Sequence, residues 1–162
     1  MKKFELTTEF ITNAFGKKLF RIKALIEFGN VKAGELGGFV EKEENLSHDG
    51  NAWVRENAVV CENAVVCGDA EVRENAVVCE NAVVCGNADY ACIKGFGTEF
   101  RHTTFYKTKE DGIGVKCGCF YGSLEQFREQ VKETRNGKIA KEYLMIADLM
   151  EYHFASEDSS NE

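Results

Sequence analysis

The residues best equipped for chemistry in this chain of 162 lie just past its middle, in Arg101-His-Thr-Thr-Phe-Tyr-Lys107. Guanidinium, imidazole, hydroxyl, ammonium and aromatic groups together suit a phosphorylated nucleotide, through charge-assisted hydrogen bonds to phosphate and contacts with ring faces. Arg101, His102, Thr103, Thr104 and Lys107 are therefore candidate ligand contacts. Arg55 and Arg73, three hexads apart, join them if the chain between them completes one turn of a coil. A half-solvated strand has the same alternating composition, so the fold must decide whether these groups converge.

Seven cysteines form the other reactive set. Cys61, Cys67, Cys79 and Cys85 occupy one recurring position, a single hexad apart within each pair, which reads as small apolar packing by reduced thiols and not as a disulfide framework. Cys117 and Cys119 fall on the same side of a predicted strand, but a single C-x-C without a second pair is a weak metal or redox signal, and packing explains it better. No metal, cofactor or catalytic residue is expected. The formal charge of −7 argues against nonspecific binding to nucleic acid polymers or anionic membranes. No segment approaches the roughly 20 apolar residues of a membrane span, so a soluble cytoplasmic protein is expected.

What must position these groups is the stretch from Asn51 to Cys92, seven hexads reading NAWVRE, NAVVCE, NAVVCG, DAEVRE, NAVVCE, NAVVCG and NADYAC. No helix has a period of six. Alternate side chains of an extended tripeptide face opposite ways, so Ala52 and Val54 share the inside while Trp53 and Arg55 face out. The pairs that follow, such as Glu56-Asn57 and Gly68-Asp69, tolerate left-handed corners. Three hexads then close one triangular coil. Residues 55–68 recur unchanged at 73–86, so identical residues should stack one above the other.

Outward Val59, Cys61, Val77 and Cys79 would make one apolar face, and Val65, Cys67, Val83 and Cys85 a second. The third would be polar, with Trp53, Arg55, Glu71, Arg73, Asp89 and Ala91. Contiguous apolar patches of that extent seldom stay exposed. These eight Val and Cys residues are the expected interface of a homotrimer, unless the C-terminal segment folds over them.

The aliphatic residue followed four places later by a small one, as in Val60 and Ala64, resembles the hexapeptide motif of left-handed parallel β-helix proteins. The left hand is implied by that resemblance alone. The position after the aliphatic residue, commonly small or acidic in that family, holds Arg or Cys here. The resemblance also implies an acyltransferase with a histidine base as one alternative. His48, His102 and His153 do not lie in an excursion from uninterrupted hexads, where such a base usually sits. Nearly the whole chain is similar to uncharacterised phage and prophage proteins of this type. The likeness is carried by Val31-Lys-Ala-Gly-Glu-Leu-Gly-Gly38, by Asn45 to Trp53 before the repeats, and by Cys117-Gly-Cys-Phe120 with Gly122 and Phe127 after them.

Four segments follow. Residues 1–50 form an N-terminal hairpin and cap, with Val40 and Leu46, two hexads and one hexad before Ala52, beginning the coil in degenerate form. Residues 51–92 form the β-helix. Residues 93–155 form a hairpin turning at Asp111-Gly112, a helix opened by the capping box Ser123-Leu-Glu-Gln126, and a second helix to Phe154. Residues 156–162 are an acidic, disordered tail. The expected function is a non-catalytic phage accessory protein that sequesters a nucleotide immune signal, an anti-defence sponge. A structural or protein-interaction module and a hexapeptide acyltransferase are the alternatives.

Overall fold

The computed structural model describes residues 2–155; the tail expected over 156–162 lies outside the described residues. Strands β1 (Phe4–Thr12) and β2 (Lys18–Ala24) pair antiparallel as the predicted hairpin. Its turn is held by Asn13, whose side-chain oxygen accepts hydrogen bonds from the backbone N–H groups of Phe15 and Lys17 at 2.9 and 3.0 Å. Strand β2 continues antiparallel onto β3 (Leu36–Val40).

The hexads give six short strands: β4 (Trp53–Val54), β5 (Val59–Val60), β6 (Val65–Val66), β7 (Glu71–Val72), β8 (Val77–Val78) and β9 (Val83–Val84). Three parallel ladders join β4 to β7, β5 to β8 and β6 to β9, each pairing a strand with the one three hexads later. Inward Ala and Val from Ala52 to Val84 are sealed, none more than 1% exposed. The corners are left-handed, with φ of 57–59° at Glu56, Glu62, Glu74 and Glu80. At Gly68 the corner passes so close to the next coil that a Cβ would stand 2.4 Å from the Cys85 carbonyl oxygen.

Both ends of the coil depart from the simple phase. Val40 stacks on Val60, and Leu46 bridges to Val66. Each pairing is two places longer than three hexads, which puts Val40 and Leu46 on valine positions and not on the alanine phase of Ala52. The two additional residues sit in the corner between Leu46 and Trp53. Buried Asn45 secures this edge by donating to the carbonyls of Glu62 and Ala64 at 3.2 and 2.8 Å. At the other end the seventh hexad is not a coil segment. Gly86 is extended, and the Asp89 carboxylate accepts from the N–H groups of Cys85 and Gly86. Ala88 is exposed, and Tyr90 begins β10 (Tyr90–Phe96).

Strand β10 joins β11 (Arg101–Lys107), β12 (Ile113–Cys117) and β13 (Phe120–Ser123) in a four-stranded antiparallel sheet. The single strand expected to carry Cys117 and Cys119 is thus two, because Gly118 turns the chain with φ +59°. Cys117 and Cys119 do not share a strand. The capping box is present, Ser123 and Gln126 exchanging hydrogen bonds of 2.9 and 3.1 Å, and it opens α1 (Leu124–Thr134), which α2 (Gly137–Phe154) follows. Phe105, Val115, Phe127, Tyr143 and Met150 form the core between the sheet and the two helices. From the opposite face of the sheet Tyr106 reaches the coil, its hydroxyl 3.4 Å from Cys79 Sγ. Gly114 permits this crossing, since a Cβ there would lie 2.2 Å from the Tyr106 ring. The protein is mainly β, with open mixed sheets and two C-terminal helices; among the described residues no helix is long and apolar enough to cross a membrane.

The structure corrects the expected interface. Cys61 and Cys79 are buried, at 4% and 2% exposure, and Val59 and Val77 are packed against the core. Their cover is this chain's own hairpin, through Leu19 and Phe15, together with Tyr106 and Tyr121 of the sheet. Trp53, expected on an exposed polar face, is fully buried beneath Phe28 and Phe4, with ring centroids 5.3 and 6.4 Å away. The other face stays open, with Val65, Cys67 and Val83 half-buried and Cys85 exposed. There the reading of four reduced thiols fails, because Cys67 and Cys85 are joined in a disulfide, with Cα atoms 4.5 Å apart. Their separation of three hexads stacks them within bonding reach; the single hexad within a coil, which suggested otherwise, separates different faces. Cys61 and Cys79, in the same stacked relation, remain thiols. A hydrogen bond with Cys79 and burial push the Cys61 thiol well above the ordinary range.

The open end nearest the N-terminus is plugged by Lys3. Only 1% exposed, its ammonium donates to the carbonyls of Ala52 and Gly50 at 2.7 and 3.3 Å and lies 4.7 Å from the Phe28 ring centroid. Burial lowers its pKa to about 8 from 10.5, partly opposed by Asp49. The cost of burying the charge is therefore fully present below pH 8 and is relieved as pH rises toward 10.5, because the unfolded chain then holds more protons. Urea unfolding midpoints should rise from about pH 7.5 to about pH 9.5 relative to Lys3→Met measured in parallel; identical pH profiles would show that Lys3 carries no such penalty. Separately, Glu56→Gly relieves a left-handed non-glycine residue by about 1 kcal/mol but loses roughly 0.5–1 kcal/mol to glycine entropy, so the same assay should show a net change within about 0.5 kcal/mol.

Candidate functional site

The seam between the polar face of the coil and the C-terminal sheet holds an open cleft of about 310 Å³, lined by Arg73, Glu74, Asn87, Tyr90, Ala91, Cys92 and His102. Arg73 and Glu74 come from the corner after β7. Asn87 and Tyr90 come from the turn where the hexads end, and His102 from β11, the neighbour of β10. The cleft exists because the seventh hexad leaves the coil and turns into an antiparallel strand beside it.

Tyr90 fixes this junction. Its hydroxyl donates to the Glu71 carbonyl at 2.5 Å and accepts from the Arg73 N–H at 3.2 Å. Asn87 adds a bond, its side-chain oxygen accepting from the Glu71 N–H at 2.8 Å. Burial raises the Tyr90 pKa, so the phenol stays protonated at neutral pH. The Glu71 carboxylate is shared by two arginines: Oε1 accepts from Arg55 at 2.9 and 3.1 Å and Oε2 from Arg73 Nε at 2.9 Å. Burial pushes Glu71 up, but the hydrogen bonds from Arg73 and Arg55 outweigh it and hold its carboxyl below the usual range. Half of the Arg73 side chain remains open to solvent. Burial lowers the His102 pKa below 6.5, with Glu74 opposing the shift and Lys94 adding to it, so a neutral imidazole faces the cleft at pH 7.

Of the seven predicted ligand residues, Arg73 and His102 meet in this cleft, and the other five do not join them. Arg55 lies one coil away, clamped between Glu71 and Glu35. Thr103 and Thr104 are buried: Thr103 Oγ1 donates to Cys117 Sγ at 3.1 Å, and Thr104 Oγ1 accepts from the Val77 N–H at 3.0 Å, docking the sheet on the coil. Arg101, at the start of β11, pairs with Glu99 at 2.5 Å, and Lys107, at the end, lies 3.7 Å from Asp89. Pleating and strand length together disperse a cluster that is continuous in sequence. Glu74, Asn87, Tyr90 and Cys92 were missed as a site. Tyr90 in the place of a repeat valine was the available signal, since its ring does not fit the narrow interior.

The other histidines are accounted for structurally. His48 stacks on Phe4 at 4.4 Å and its Nδ1 accepts from the Lys3 N–H at 3.0 Å, while His153 is exposed at the end of α2. Among the described residues no group of three His, Cys, Asp or Glu side chains is placed to hold a metal ion. The cleft offers guanidinium and imidazole polar groups beside a phenol ring, an arrangement able to bind an anion or to present a neutral imidazole as a base.

No family model matches this chain. Over 80 residues it is 32% identical to a protein of Escherichia coli (strain K12) named "Uncharacterized acetyltransferase YdcK", an alignment covering 44% of this chain and 24% of that protein. The match thus spans about a quarter of the relative's length. With the hexads themselves and the ladders that stack them three apart, this likeness supports a hexapeptide-repeat protein.

Proposed function

We propose that this chain is a left-handed parallel β-helix of the phage accessory type, a homotrimer in the bacterial cytoplasm that binds a small phosphorylated nucleotide without turning it over and so withdraws an immune signal. The observation that carries the binding is the cleft shared by Arg73 and His102. Its volume lies at the lower end of the range for small-molecule sites, and half-exposed Arg73 presents a guanidinium for a phosphate. The half-buried Val65 and Val83 face supports association.

Acyl transfer is the second reading. It draws on the relative's name and on the neutral His102 imidazole near Glu74. As a base, His102 would act without prior deprotonation at pH 7. Glu74→Gln removes the group that raises its pKa, so an NMR titration should show the His102 midpoint falling further, and an acid limb of activity, if acyl transfer occurs, should move down with it.

A thermal-shift panel of cyclic dinucleotides, ADP-ribose derivatives and acyl-CoAs separates the readings. A bound nucleotide at about a hundred times its Kd should stabilise the protein by roughly 3 kcal/mol and be recovered chemically unchanged. Arg73→Ala should weaken it by about 1.5–3 kcal/mol. No shift with any nucleotide, or consumption of an acyl-CoA, defeats the sequestration reading. Val65→Glu with Val83→Glu should convert a trimer to monomers by light scattering; a monomeric wild type removes the trimer.

A further inference from the structure

A second cavity lies on the other side of the coil, where the hairpin tip covers the Val59 and Val77 face. It measures about 190 Å³, and its exposed lining is chiefly carbon. Leu19 and Phe15 form the hairpin wall, Val59 and Val77 the coil wall, and Lys116 and Tyr121 the rim on the sheet side. The Phe15 and Tyr121 rings meet edge to face at 5.7 Å, tying the hairpin tip to the sheet.

The hairpin tip spans the coil face without filling it. Val59 and Val77 are only partly buried there, although everything beneath them is closed. At about 190 Å³ the space has room for a single ring or an alkyl chain of similar bulk. The polar rim then selects the head group. Lys116 has one N–H committed to the Gly118 carbonyl, which leaves donors available on the same ammonium. Tyr121, its cross-strand partner, adds a hydroxyl. Glu62 also lines the cavity and disfavours a second negative charge on the ligand.

We infer that this cavity binds a small amphipathic monocarboxylate, its alkyl or aryl body between Leu19 and Val77 and its carboxylate on Lys116. The site is separate from the Arg73 and His102 cleft and does not depend on the reading given to that cleft. Cys61 and Cys79 complete the coil side of the lining.

The test is calorimetric titration of the full chain with octanoate, benzoate and octanol. Octanoate or benzoate should bind, and Lys116→Met should weaken the carboxylates about tenfold, the loss of one charge-assisted contact, with octanol affinity unchanged. Val77→Phe, which fills the cavity from the coil side, should abolish all binding while circular dichroism stays that of the wild type; if it does not fold, Phe15→Trp fills the cavity from the exposed hairpin tip and takes its place. Absence of carboxylate binding by the wild type, equal carboxylate affinity in Lys116→Met, or full binding by the filled variant overturns the assignment.

Discussion

Every other feature of this molecule hangs on backbone hydrogen bonds running from one coil to the next. The N–H groups of Trp53, Val59 and Val65 donate to the carbonyls of Ala70, Ala76 and Ala82 at 2.9–3.0 Å, one ladder on each side of the coil. The corners join in, with Asn57 and Asn63 donating to Glu74 and Glu80 at 3.1 Å. Such regular stacking leaves room inside for Ala and Val alone, and it demands a left-handed residue at each bend. Glutamate there costs on the order of 1 kcal/mol per corner. Satisfied ladders above and below hold the strained corners in place, which is why the same conformation recurs at four glutamates.

A coil this thin buries little by itself, so its stability depends on what lies against its outside. The three sides are treated differently. On one, Phe4 and Phe28 close over Trp53, and the carboxylate of Glu71 ties two arginines of successive coils. On the second, the N-terminal hairpin and the C-terminal sheet meet across Cys61 and Cys79. The third keeps Val65 and Val83 half-buried beside the Cys67–Cys85 bridge. The two terminal segments thus complete the fold sideways as well as capping it. Both clefts described above lie where such a segment meets the coil: the polar one where β10 turns away, the apolar one where the hairpin tip arches over.

Much of this was legible in the residues because it is local or periodic. The three-hexad coil follows from the exact recurrence of 55–68, the hairpin turn from Asn13, and the first helix from Ser123 and Gln126. The cover over Val59 and Cys61 was not legible, since it is made by Phe15 and Leu19 far before the repeats and by Tyr106 and Tyr121 well after them. Periodicity carries no information about such contacts. The stacking of Cys67 over Cys85 was legible from that recurrence, but their bonding was not, since Cys61 and Cys79 stack in the same way and remain thiols. The binding residues dispersed because Arg101 to Lys107 is a strand, so Thr104 and Tyr106 dock on the coil while Thr103 and Phe105 face the helical side. Arg73 and His102 survive as neighbours because both border the point where the hexads stop.

The unchanged recurrence of 55–68 at 73–86 gives this architecture an adjustable length. The three ladders between the two complete coils share one offset of three hexads, so an inserted block of three hexads would continue the same ladders. Only the separation between the hairpin end and the sheet end would change, by about 4.8 Å for each block. The two clefts would respond unequally to such slippage. The polar cleft belongs to the last coil and would travel with the sheet, whereas the apolar cavity is spanned by hairpin and sheet together and would be pulled open. The number of coils is therefore a ruler, and the apolar cavity is the feature calibrated to its present setting.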